Sequence, residues 1–169
     1  MKKIIMEVYP YIIIVLVVVL IRSYIATPVI VSGDSMRPNL TDGEMLIVRK
    51  IGYRGNNIKR FDIVVIKEGN EEIIKRVIGL PGEYISYKNN KLYVNDEVVK
   101  EDFKFYSTDD FNLEEVCTCH RIPSNKYLVL GDNRPISKDS RIIGLIDEKD
   151  IFGEAIFRVW PISKMGSIN

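Results

Sequence analysis

Hydrophobic and polar positions divide the chain into two unlike parts. From Val8 to Ile21 runs a stretch of 14 uncharged residues, almost all apolar, bounded by Glu7 and Arg22. After Pro28 the pattern changes to short apolar runs punctuated by turn formers, which is how the strands of a half-buried sheet read. Met45–Val48, Asp62–Ile66 and Ile73–Ile78 are predicted strands. Tyr84–Tyr87, Leu92–Val94 and Val98–Val99, separated by Lys88-Asn89-Asn90-Lys91 and Asn95-Asp96, predict a small meander. Tyr127–Leu130 regains strand character, 131–141 is a polar loop, and Ile151–Trp160 makes a last strand region. Residues 100–126 carry acids, aromatics, Cys117 and Cys119 without a readable period, and a variable excursion is expected there. The predicted fold is mainly β: a domain of short antiparallel strands preceded by one N-terminal transmembrane helix.

The span needs an argument about length. A helix rises about 1.5 Å per residue, so Val8–Ile21 covers only about 21 Å of a hydrocarbon core of about 30 Å. Extending it from Ile4 through Ala26 gives about 23 residues, with Glu7 near one interface and Arg22 snorkelling to the other. The following Arg22-Ser23-Tyr24-Ile25-Ala26 offers no small-x-small cleavage site, which favours a retained anchor over a cleaved leader. A buried helix of a soluble domain is the other alternative, suggested by the β-branched character of Ile12–Val19. Lys2 and Lys3 place the amino terminus inside, against the counterweight of Arg22. The expected organisation is a cytoplasmic terminus at 1–7, an anchor at 8–26 and an extracytoplasmic domain at 27–169.

Composition then excludes several classes. The mean hydropathy of 0.00 averages these two parts. Of 24 basic and 23 acidic side chains, only Lys2, Lys3, Arg22 and Glu7 precede residue 32, so the β region carries a net charge of −1. No basic field exists to hold nucleic acid. At 46% hydrophobic the chain is too apolar for disorder. Cys117, Cys119 and His120 cannot complete a four-ligand zinc site, and neither metal nor cofactor is expected. Alternation along a strand places the two cysteines at the edge of bridging distance, so a mutual disulfide requires a bent backbone; free thiols are the equal alternative.

Three segments could carry chemistry. Ser35, in Gly33-Asp34-Ser35-Met36-Arg37-Pro38, sits where the chain should turn and present both hydroxyl and N–H; taken alone, such a serine is more often a turn or a helix cap. Lys75 alternates with apolar neighbours on a predicted strand, so burial could disfavour its charge; alone, it reads more simply as a surface lysine covering Ile and Val. The loop 131–141 holds Asp132, Ser137, Asp139 and Arg141, either as a solvated turn or as a hydrogen-bonded support for a neighbouring base.

In order and spacing these segments resemble the boxes of bacterial type I signal peptidases, membrane-anchored Ser/Lys endopeptidases. The resemblance rests on Ser32–Leu40, Arg60–Val65, Lys75–Glu83, Gly131–Arg134 and Ser140-Arg141, and residues 100–126 fall outside it. It implies Ser35 as nucleophile and Lys75 as general base, with Ser137 hydrogen-bonding the Lys75 amine. Asp132, Asp139 and Arg141 would form a supporting ion-pair network. Met36, Leu40, Ile73 and Ile74 would form shallow apolar subsites that admit small side chains, giving cleavage after an A-x-A-like sequence. The implied partners are signal-peptide-bearing preproteins and the lipid bilayer, at the outer face of a bacterial membrane. Gly33 stands where many members carry Ser or Thr beside the oxyanion, a form that resembles the Gram-positive branch. Phe61 and Asn39 replace the more common Gly and Thr. The alternatives are a Ser-His-Asp hydrolase using His120, a self-cleaving repressor lacking its DNA-binding head, and a non-catalytic membrane-tethered β module.

Overall fold

The computed structural model describes residues 2–20, 26–53 and 57–168. The elements are α1 (Lys2–Leu20), β1 (Ala26–Ile30), β2 (Met45–Arg49), β3 (Ile63–Glu68), β4 (Glu71–Gly79), β5 (Ile85–Lys88), β6 (Lys91–Val94) and β7 (Glu97–Val99). They continue with β8 (Phe111–Asn112), α2 (Leu113–Val116), β9 (Lys126–Leu130), α3 (Ser140–Ile143), β10 (Ile146–Asp147), β11 (Ile151–Trp160) and β12 (Gly166–Ser167).

Alternation decides how the strands stack. In β3 the side chains of Ile63 and Val65 enter one apolar cluster, with Met36, Leu40, Leu46, Val48 and Ile74; Val64 and Ile66 enter another, with Val77 and Val129. A strand buried on both faces needs a continuous β-branched run, and Ile63-Val64-Val65-Ile66 supplies it, each side chain contributing about 1.5–3 kcal/mol. Around it forms an antiparallel sheet in the order β1-β2-β11-β3-β4-β9-β10, with β12 added to β11. The smaller sheet, β7-β6-β5-β8, is the predicted meander plus one short strand. Its two tight turns place Asn89, Asn90, Asn95 and Asp96 at positive φ, the backbone that hairpins of this hand require and that Asn and Asp tolerate. A third cluster, including Ile78, Ile85, Leu92 and Leu128, joins this sheet to the larger one.

The junction, the span and the cysteine pair are each specified further. Ala26, the last residue of the expected anchor, begins β1 and pairs with Arg49, and Pro28 fits because β1 is an edge strand. The rest of the junction, 21–25, lies outside the described residues. Among the described residues no helix is long and apolar enough to cross a membrane. Nor is α1 a core helix, since Val8, Tyr11, Ile12, Val15 and Val18 are all exposed. Finally, Cys117 and Cys119 form a disulfide with Cα atoms 5.3 Å apart. They lie on no strand: Cys117 ends α2, and the Cys119 N–H donates to the Cys117 carbonyl at 2.7 Å, which folds the backbone tightly enough to bridge.

Candidate active site

Ser35 lies on a loop between β1 and β2 whose ends are anchored by core residues. Met36 and Leu40 are fully buried, and the Asn39 and Leu40 N–H groups both donate to the Met36 carbonyl, tightening the chain into a turn that leaves Ser35 half-buried. Gly33 enters this turn with φ 81°, and its N–H donates to Asp42 Oδ1 at 2.7 Å. The left-handed backbone favours glycine, a local reason for the absence of a Ser or Thr at this position.

Lys75 comes from β4. Strand β9 pairs with β4 only from Arg76 onward, through Arg76↔Leu130. The edge of β4 over Glu71–Lys75 that faces away from β3 therefore carries no strand partner among the described residues. Lys75 Nζ donates to Ser35 Oγ at 2.9 Å and to the Ile74 carbonyl at 3.1 Å. Its side chain is 3% exposed and makes no salt bridge among the described residues. Burial pushes the Lys75 amine below the usual lysine range, while Asp139, Glu68 and Asp132 pull it partly back from beyond contact distance. An amine that gives up its proton readily, set against a hydroxyl, is a base poised to activate a nucleophile.

The loop after β9 supports both groups. The Asn133 N–H donates to the Ser35 carbonyl at 2.9 Å, and Asn133 Nδ2 to the Asp34 carbonyl at 3.1 Å. Asp132, fully buried, receives a two-pronged bond from Arg76 at 2.8 and 2.7 Å and a third from Asn39 Nδ2 at 2.6 Å. Asp139, also fully buried, caps α3 and accepts from the Gly131 N–H and from both Nε and an NH2 group of Arg141. Gly131 is compulsory here: a Cβ on it would lie 2.2 Å from Ser137 Oγ and 2.5 Å from the Ser35 carbonyl oxygen.

Asp132, Asp139 and Arg141 thus occupy one connected ion-pair network. Ser137 behaves differently from expectation. Its hydroxyl is buried with no hydrogen-bond partner among the described residues, so the anticipated bond to Lys75 is not formed. The turn that bonds the Ser137 N–H to the Asn133 carbonyl sets the hydroxyl against Gly131, and Ile74 supplies the second contact of the amine. Of the four expected subsite residues, Met36, Leu40 and Ile74 share one apolar cluster, but Ile73 alternates to the opposite face of β4 and packs with the other. His120 is 94% exposed and bonds Glu114, with no contact to Ser35.

Arg76, Asn133, Arg134 and Asn39 escaped notice as site residues. Arg134 is buried: it donates to the Gly131 carbonyl, to Thr108 Oγ1 and to Glu101, and lies over Phe105. The only sequence signal was Arg76, an arginine placed among apolar strand positions, which needs buried partners; Arg134 lies in a polar loop.

A family model described as signal peptidase, peptidase S26, matches residues 4–160. Signal peptidase IB of Staphylococcus aureus is 40% identical over 159 residues, covering 86% of this chain and 83% of that protein. Signal peptidase I of Bacillus caldolyticus is 42% identical over 166 residues, covering 92% and 91%. The crystal structure of a signal peptidase I from Enterococcus faecalis is similar in fold, with a TM-score of 0.53 and 36% identity, covering 57% of this chain and 95% of that one.

Proposed function

The chain belongs to the signal peptidase, peptidase S26, family, and from that premise we propose that Ser35 and Lys75 are its nucleophile and general base. The enzyme is a hydrolase of signal-peptide processing. The observation that carries the dyad is the 2.9 Å contact between Ser35 Oγ and a buried lysine amine with no carboxylate in contact among the described residues.

Neutral Lys75 accepts the Ser35 proton as Oγ attacks the scissile carbonyl, forming a tetrahedral intermediate. The Ser35 N–H, which takes part in none of the bonds that fix its loop, is placed to donate to the oxyanion, and Gly33 adds no hydroxyl. Lys75 then passes its proton to the leaving amine. Water, deprotonated by the same amine, releases the acyl group. The partnerless Ser137 hydroxyl is assigned to the protonated stage, when the ammonium has an extra donor to satisfy. Asp132, Asp139 and Arg141 shape the loop.

The substrate is read as an extended preprotein segment that adds a strand along the open edge of β4 at Glu71–Lys75. The apolar cluster of Met36, Leu40 and Ile74 is read as the wall of shallow subsites for small side chains, with cleavage after an A-x-A-like sequence. The apolar segment that starts at Val8 and stops before Ala26 is assigned as the membrane anchor, with 1–7 inside and the catalytic domain at the outer face. The exposed apolar side chains of α1 from Val8 to Val18 have no protein core to enter, and a bilayer satisfies them.

The test uses the full chain in detergent with a preprotein substrate. Ser35→Ala and Lys75→Ala should each lower the cleavage rate by at least about 10³-fold. Processing at near-parental rate by either variant would falsify the dyad.

A further inference from the structure

The segment 101–108 has neither helix nor strand, yet it is pinned beside the site. Phe103 lies over the Arg76 guanidinium at 3.9 Å, the Lys104 carbonyl accepts from Asn39 Nδ2 at 2.6 Å, and the Tyr106 N–H donates to the Asp132 carbonyl at 3.0 Å. Both hydrogens of the Asn39 carboxamide are therefore in use, one on Lys104 and one on Asp132 Oδ2. Both partners are acceptors only, so the nitrogen of Asn39 is the atom that must face them.

These bonds close a ring of constraints. Ser35 and Asn39 belong to one turn, Asn39 holds the Asp132 carboxylate, Asp132 adjoins Asn133, and the Asn133 N–H holds the Ser35 carbonyl. We infer that Asn39 is a positioning residue for Ser35, and that the strap 101–108 holds Asn39 in place by occupying its second hydrogen. Cutting the Asn39 link opens the ring on one side and leaves Asn133 as the tie between the Ser35 turn and the loop after β9. Misplacing a nucleophile by a fraction of an ångström slows the attack more than it weakens substrate binding. The inference rests on Ser35 being the nucleophile.

Asn39→Ala and Asn39→Gln in the full chain in detergent test it by two readings: kcat and KM on a preprotein, and the rate at which a small serine-reactive probe acylates Ser35. Asn39→Ala should lower kcat about 10-fold, slow probe acylation by the same factor and leave KM within about twofold. Asn39→Gln keeps both donors on a longer arm and should recover part of the loss. Probe acylation of Asn39→Ala within about twofold of the parent overturns the inference. So does a loss that tracks the unfolded fraction at assay temperature, or a Gln variant no better than Ala. A parent chain that cleaves preprotein without labelling at Ser35 overturns the nucleophile assignment itself, and this inference with it.

Discussion

Two polar regions lie buried beside each other in the middle of β4, built on opposite principles from adjacent residues. Arg76 is matched bond for bond: two to Asp132, one to the Phe61 carbonyl, and an aromatic ring over its face. Lys75, one residue earlier and equally buried, has only a hydroxyl and a carbonyl. Arginine cannot lose its charge and so must be compensated, whereas lysine left uncompensated is pushed towards its neutral form. The fully paired region makes the loop rigid; the underpaired one is where chemistry is available.

Substitutions that exchange stability for activity break this contrast most sharply. Lys75→Met should abolish cleavage, by at least about 10³-fold, while leaving the thermal midpoint unchanged or raised, because an awkwardly buried amine is removed. Asp132→Ala should do the reverse in kind, costing about 3–5 kcal/mol in chemical denaturation by stranding Arg76. Gly131→Ala drives a methyl into Ser137 and the Ser35 carbonyl, and a drop in kcat of about 10- to 100-fold is expected in steady-state assays. Lys75 also leaves a mark on stability. The folded chain releases the Lys75 proton at lower pH than the unfolded chain, so the unfolded state binds more protons between that lowered value and about 10.4. Stability measured by denaturant titration should therefore rise with pH across that window, and the contribution should vanish in Lys75→Met. The smallest effect belongs to His120→Ala, whose cleavage rate should stay within about twofold of the parent, since the imidazole stands in solvent beside Glu114.

The larger sheet was legible because its strands obey a period. Ile63–Ile66 and Ile151–Trp160 announce themselves by apolar runs and turn formers, and the Asn-Asn and Asn-Asp turns fixed the meander. The strap 101–108 was not legible, because no period holds it: contacts from Asn39, Arg76 and Arg134 and a backbone bond from Tyr106 to Asp132 do. Ser35 and Lys75 were each ambiguous alone, and only the order of five segments joined them. Asn39 shows in the sequence only as a replacement for the more common Thr, since a carboxamide that links three distant pieces of chain carries no local signature. The missing Ser137–Lys75 bond and the packing of Ile73 on the opposite face of β4 depend on loop geometry and strand parity, which an ordered set of motifs does not encode.

The central claim is that Lys75 is a base because it is buried without a countercharge. Its most direct test is an NMR titration of the full chain in detergent with lysine labelled at Cε, the Lys75 signal identified by its loss in Lys75→Met. The account predicts an Nζ midpoint clearly below the usual lysine value of about 10.4, coincident with the midpoint at which kcat/KM rises with pH. A Lys75 amine that titrates at or above that value, in an enzyme active at neutral pH, would contradict it.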